Sequence, residues 1–251
     1  MDETFKQRFL TKWRDYFPGA ELPIAWYYTD HPEDAPTATG RVHCLITRLN
    51  DVRGGHTLVY GAKTPGCVGG KRWTGYSPQI RPNFEYFLSC GIPGKMEGER
   101  YKKSPDLVSA HMKEHPPFQA PGQYLVFKRW DMLGPQDEPA VVVFFAAPDV
   151  LSALFTLANY DLPITQGVIA PMGSGCSTVV TYPLEEIANQ QRCILGMFDL
   201  SARPSVEPAV LTLAVPSQRF RAMVDNMDES FLSTPIWKVV RDRRGIVTED
   251  L

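Results

Sequence analysis

Three features of this sequence predict an α/β or α+β fold, built as a single domain around a mixed β-sheet flanked by helices. First, short apolar segments bounded by turn residues read as strands: Pro23–Tyr28, Tyr124–Trp130 and Ala140–Ala147. Second, segments with apolar residues at i, i+3 and i+4 read as helices, as in Asp149–Tyr160 (DVLSALFTLANY). Third, the two kinds alternate without a strict βαβ period, so the sheet should be mixed. No repeat, low-complexity tract or linker divides residues 1–251.

Taken in order, Phe5, Phe9, Trp13, Tyr16 and Phe17 fall at helical spacing, and Pro18-Gly19 ends that helix. Pro23–Tyr28 (PIAWYY) is a β-branched and aromatic strand. Thr29–Gly40, rich in proline and acids, is a surface loop. Arg41–Arg53 places Val42, Leu45, Ile46 and Leu49 on one face and predicts a helix stopped by Gly54-Gly55, with Cys44 near its start. His56–Ala62 reads as a strand, followed by a Gly-rich turn and a helix that could start near Lys71. Gln79–Cys90 is expected to be helical from Pro82, and Ser104-Pro105 caps a helix to about His115. Ala140–Ala147, apolar on both faces, should be a central strand. Gly167–Ala170, Cys193–Phe198 and Val210–Val215 complete the strands. Thr178–Ile187 is a helix that Pro183 should interrupt. Ser217–Met227, with Ser217 as cap, and Thr234–Arg243 close the fold, leaving Gly245–Leu251 as a polar tail.

Composition excludes several classes. Apolar residues at 43% and charged residues at 22% are ordinary for a globular chain. A formal charge of −2 gives no electrostatic basis for nucleic acid or an anionic membrane as partner. Ala140–Ala147 is far short of the roughly 20 apolar residues of a membrane helix. The charged N-terminus lacks the apolar centre of a signal peptide, so a cytoplasmic location is expected. Five scattered cysteines without a C-x-x-C pair should be reduced thiols.

The chemistry points to two turns. Cys67, beside Gly66, Gly69 and Gly70, and Cys176, beside Gly175, each follow a strand and could precede a helix. Such turns expose backbone N–H groups and push a thiol towards thiolate. If both open at one end of the sheet, two thiols face one cavity; the alternative for each is a buried small hydrophobe. Lys63, Lys71 and Arg72 could hold an anion or form a solvated rim. Arg203 is either an anion clamp or a turn staple. The first turn is no P-loop, because Pro65 and Arg72 stand where Gly and Ser or Thr are required. Gly-Ser-Gly-Cys at 173–176 is not a nucleophile elbow. The histidines offer no evident Cys-His pair: His111 and His115 lie on a charged helix, and His43 and His56 lack an orienting carboxylate.

From about residue 41 to 240 the chain resembles the domain-of-unknown-function family 169 (uncharacterised ArCR). The resemblance rests on HCLITRLNDVRGG, GCVGG, VVVFFAAPDVLSALF, GSGCSTVVTYP and LGMFDLSARP in that order; FEYFLSCGIPGKMEGERYKKSP is similar to a Bacteroides-like branch. The family's role is unassigned, but the resemblance implies cysteines at Cys44, Cys67 and Cys176, with Met197 where relatives often carry a fourth. It thereby implies a metal or iron–sulfur centre held by Cys44, Cys67 and Cys176, with Cys193 four positions from Met197. Gly66, Gly69, Gly70, Lys71, Arg72, Gly175 and Arg203 are then the candidates for a cofactor or small anionic ligand. A metal-free thiol enzyme with Cys67 as nucleophile, and a non-catalytic sensor or assembly subunit, stand as alternatives; an oligomer is left open.

Overall fold

Phe5, Phe9 and Trp13 recur every fourth residue, and Asp2 stands just ahead of them; together they make α1 (Glu3–Tyr16). The Asp2 carboxylate accepts from the Thr4 and Phe5 N–H groups at 2.9 and 3.4 Å, satisfying donors that a helix start leaves free. The computed structural model describes residues 1–34 and 43–243.

The strands are β1 (Ile24–Thr29), β2 (Leu58–Gly61), β3 (Tyr124–Arg129), β4 (Val141–Ala146), β5 (Val168–Ile169), β6 (Cys193–Gly196) and β7 (Leu211–Pro216). They form one sheet of order β2-β3-β1-β4-β7-β6-β5. Every neighbouring pair is antiparallel except β5 and β6, so the sheet is mixed, as expected. The uninterrupted apolar run of β4 is explained by its place: it pairs with β1 on one side and β7 on the other, and every residue in it is buried.

Strict alternation of side chains divides the interior in two. Ala25, Val142, Phe144, Leu213 and Val215 face α1, α6 (Pro148–Asn159), α8 (Ser217–Asn226) and α9 (Pro235–Arg243). Aromatic edges lock this layer: the Phe9 ring lies 5.1 Å from Trp130 and 5.0 Å from Phe220. Ile24, Trp26, Val141, Val143 and Phe145 face the opposite way, onto α2 (Leu45–Arg53), Trp73 of α3 (Val68–Trp73) and the helical segment after Cys176. The short α4 (Phe84–Phe87) and α5 (Pro105–Glu114) belong to the long excursion between β2 and β3.

Several expectations shift. The helix predicted over 41–53 begins only at Leu45; Arg41 and Val42 lie outside the described residues, as do Ala35–Gly40 and the tail from 244. The helix expected near Lys71 starts earlier, at Val68. Gln79–Cys90 supports only four helical residues, preceded by Asn83 at φ 56°. Ser217 lies inside α8 instead of capping it, and its hydroxyl donates to the Pro139 carbonyl. Thr178–Ile187 is helical with the interruption that Pro183 demands: Ser177–Thr181 forms a π turn, and α7 (Tyr182–Ile187) follows with proline in its first turn. Among the described residues no helix is long and apolar enough to cross a membrane.

Candidate functional site

Three cysteines from three separate elements meet on the α2 side of the sheet. Cys44 and Cys67 are the capping residues of α2 and α3, both in extended backbone conformation. Cys67 reaches its place through a tight turn after β2, in which Gly61 N–H donates to Thr64 Oγ1 at 3.0 Å and Thr64 N–H returns to the Gly61 carbonyl at 3.1 Å. Its sulfur then accepts the Gly70 N–H at 3.2 Å. Cys176 enters from the second Gly-rich turn, where Gly175 N–H donates to Asp199 Oδ2 at 3.0 Å. The π turn that follows is tied to the sheet by Trp26, whose indole N–H donates to the Val179 carbonyl at 2.9 Å.

The proton balance of the three thiols differs. Cys44 and Cys67 are hydrogen-bonded to each other. That bond is the largest influence bringing Cys67 down to about 6, against burial and the Cys176 charge; the Gly70 and Leu45 N–H groups add to it. The same bond, with burial second, raises Cys44. Burial raises Cys176 well above the ordinary thiol range, and the Cys44 and Asp199 charges push the same way. Cys67 is therefore the thiolate, Cys44 its donor, and Cys176 a buried thiol.

Tyr60 of β2 stands among them. Its phenol is raised first by burial, and the neighbouring cysteines add to the effect. Its hydroxyl is buried without a hydrogen-bond partner. Two cations lie nearby. The Lys71 ammonium sits 4.2 Å above the Tyr60 ring and donates to the Gly61 carbonyl. Burial, reinforced by Arg48, lowers it to about 8. Arg48 is 6% exposed, and its Nη1 has no partner. Arg48 also lines a hollow of about 490 Å³ on the outer side of α2, with His43, Thr47, Asp51 and His56.

The glycines have distinct surroundings. A side chain at Gly66 would fall on the Tyr60 hydroxyl, and one at Gly70 would meet Cys67 Sγ at 3.3 Å and that hydroxyl at 3.4 Å. Gly175 is pressed against Ile46 and Ala202, whereas nothing stands within 4 Å of a side chain at Gly69. A groove of about 1170 Å³ runs beside the site along Gly61–Pro65 and Tyr76 to the segment 117–124, with no cysteine in its lining.

Other expected residues lie apart from the thiols. Arg72 turns away: its guanidinium donates to the Pro78 and His115 carbonyls at 3.1 and 3.0 Å. Arg203 is occupied as a turn staple, donating to the carbonyls of Val210, Glu207 and Pro208. Cys193 packs on the α1 side of the sheet, with Phe144 and Leu213, while Met197 shares the hydrophobic cluster of Cys176. Residues 193 and 194 point to opposite faces, so no fourth thiol joins the three from β6. Cys90 is exposed, on the excursion.

Sequence reasoning missed Arg48. Its signal was an arginine within the apolar face of α2, between Leu45 and Leu49. It also missed the grouping of His111 with His115, one helical turn apart.

Three sulfurs and a phenol stand together, with the cations Lys71 and Arg48 beside them. The sulfurs do not close on one point: among the described residues, the group of ligand atoms tight enough for a single ion is His111, Glu114 and His115, within 4.8 Å of one another. No curated protein and no solved structure matches the chain. The family model that does match is DUF169, described as uncharacterised ArCR; it spans residues 20–226, and the chain belongs to that family.

Proposed function

We propose that this protein binds an iron–sulfur or related thiolate-ligated centre through Cys44, Cys67 and Cys176, and that Arg48 and Lys71 balance its charge or that of a small anionic ligand beside it. The observation that carries the reading is the convergence of three cysteines, distant in sequence, on the unpartnered Tyr60 hydroxyl. A single ion draws its donors into one tight shell, whereas a polynuclear cluster spreads them more widely. The open spacing of these thiols therefore favours a cluster over a lone zinc. When bound, such a centre supplies electron transfer, or a Lewis-acidic iron where its ligation is incomplete. The chain's own part is to hold Cys67 deprotonated in advance, while Cys44 and Cys176 would each give up a proton on ligation. Tyr60 walls the site, and the unpaired Arg48 Nη1 is placed for an anion. Partners on this reading are a small anionic ligand or cofactor, with neither nucleic acid nor membrane involved. A cytoplasmic location, where thiols stay reduced, belongs to the same proposal, as does a Bacteroides-like branch of the family, on the resemblance of the segment from Phe84 to Pro105.

Anaerobic purification tests the proposal. Iron and acid-labile sulfide are expected in the wild-type chain, falling by at least about tenfold in Cys67→Ser, as loss of a ligand should cost no less than loss of an outer-shell partner. Iron-free, sulfide-free protein of full stability from an oxygen-free preparation would overturn it. One observation favours a second reading, a metal-free thiol enzyme: the low value of Cys67 and its neighbouring proton donor. That reading requires the metal-free protein to form a covalent adduct at Cys67 during turnover.

A further inference from the structure

His111 and His115 lie one turn apart on α5, the second at its C-terminal cap. Their rings are 4.8 Å apart between centroids. Glu114 stands beside them, and the imidazole nitrogens and its carboxylate all lie within 4.8 Å of one another. Two imidazoles and a carboxylate within that distance need only small rotamer changes to reach a common ion at about 2.0–2.2 Å. An i, i+4 histidine pair on one helix presents both nitrogens to one side.

The surroundings supply a second element. Glu185 of α7 lies close enough to His115 for their charges to act on each other. The Tyr182 ring is 5.2 Å from that of His115. The site is also braced: Arg72 Nη2 donates to the His115 carbonyl at 3.0 Å, and Ser104 Oγ accepts the Leu107 N–H at 3.4 Å at the other end of α5.

We propose that His111, Glu114 and His115 bind one divalent transition-metal ion of borderline softness, such as zinc, cobalt(II) or nickel, with Glu185 of α7 as the carboxylate that supports His115. Imidazole and carboxylate donors select that class, in contrast to the thiolates on the α2 side. Closing the site would fasten the excursion between β2 and β3 to the helix that follows Cys176. The inference stands independently of the thiol reading, because it shares no residue with it.

Zinc titration of tag-free full-length protein, followed by calorimetry and by metal count after gel filtration, tests this. The wild-type chain should bind one more zinc ion than His111→Ala/His115→Ala, and that variant should keep its circular dichroism. Cobalt(II) at this site should give visible bands without the intense near-ultraviolet sulfur-to-metal absorption of a thiolate site. Glu185→Gln should weaken binding by about 10–100-fold, the range for a supporting partner. Equal zinc stoichiometry in the wild type and the double variant would overturn the proposal. So would a cobalt spectrum in which the histidine-dependent component carries thiolate absorption.

Discussion

Cys67 is a residue whose charge state follows from two neighbours. Its sulfur accepts from Cys44 and from the Gly70 N–H, so the protein should show an alkylation rate with a midpoint near pH 6 when free of metal. Cys44→Ala removes the largest cause and should move that midpoint up towards the ordinary thiol value of about 8.5. Iodoacetamide kinetics with mass-spectrometric localisation would measure both, and an unchanged midpoint in the variant would contradict the assignment. The linkage signs also follow. A thiol lowered on folding adds stability at high pH, which is lost as pH falls through about 6. Lys71 pushes the same way: its lowered value makes the charged ammonium a cost below about 8, relieved as pH rises towards 10.5, so both groups make stability rise with pH. At this scale the sequence was informative about Cys67 and Cys176, because glycine beside a thiol after a strand marks a built turn. Arg203 was ambiguous: whether its fork meets a ligand or its own carbonyls depends on the path of residues 207–210. Arg48 was hidden because an arginine on a helix face reads as solvated until that face is known to be covered.

At the scale of elements, the turn after β2 explains why glycines crowd around Cys67. Gly66 yields its side-chain space to the Tyr60 hydroxyl, whereas Gly69 faces open space. Gly66→Ala should force Tyr60 or the turn to move, costing about 1–3 kcal/mol as an overpacked core site does. It should also raise the Cys67 midpoint. Gly69→Ala should be close to neutral. Chemical denaturation of the pair decides the matter, and equal stabilities would mean that the turn gives way freely. The long strands and the capped helices α1 and α5 were readable because periodicity and capping are local. Less readable was the start of α3, where Cys67 itself takes the capping position in place of Ser, Thr, Asn or Asp. The π turn before α7 was foreshadowed by Pro183 alone. Proline cannot donate the hydrogen bond that a continuous helix requires, and the wider turn accommodates the break.

Across the whole molecule, the sheet separates a packed aromatic layer from the layer that carries the thiols. Stability and site chemistry should then be separable. Phe9→Ala, which empties a fully buried ring site against Trp13, Trp130 and Phe220, should cost about 3–5 kcal/mol. The alkylation midpoint of Cys67 should stay near 6, and a shift by a full unit would show that the layers communicate. The architecture was legible from the alternation of strands and helices, and β4 from its unbroken apolar run. Strand order was not, because the pairing of β1 with both β3 and β4 is a long-range choice that no local pattern encodes.

The same division sorts the chromophores. Trp13, Trp130 and Trp237 lie in the aromatic layer, and Trp26 and Trp73 in the other. A chain carrying Trp26→Phe and Trp73→Phe would emit only from the far side, where a guest in the site is felt less because energy transfer falls steeply with distance. A chain retaining those two alone would instead dim by energy transfer when a coloured guest settles beside them.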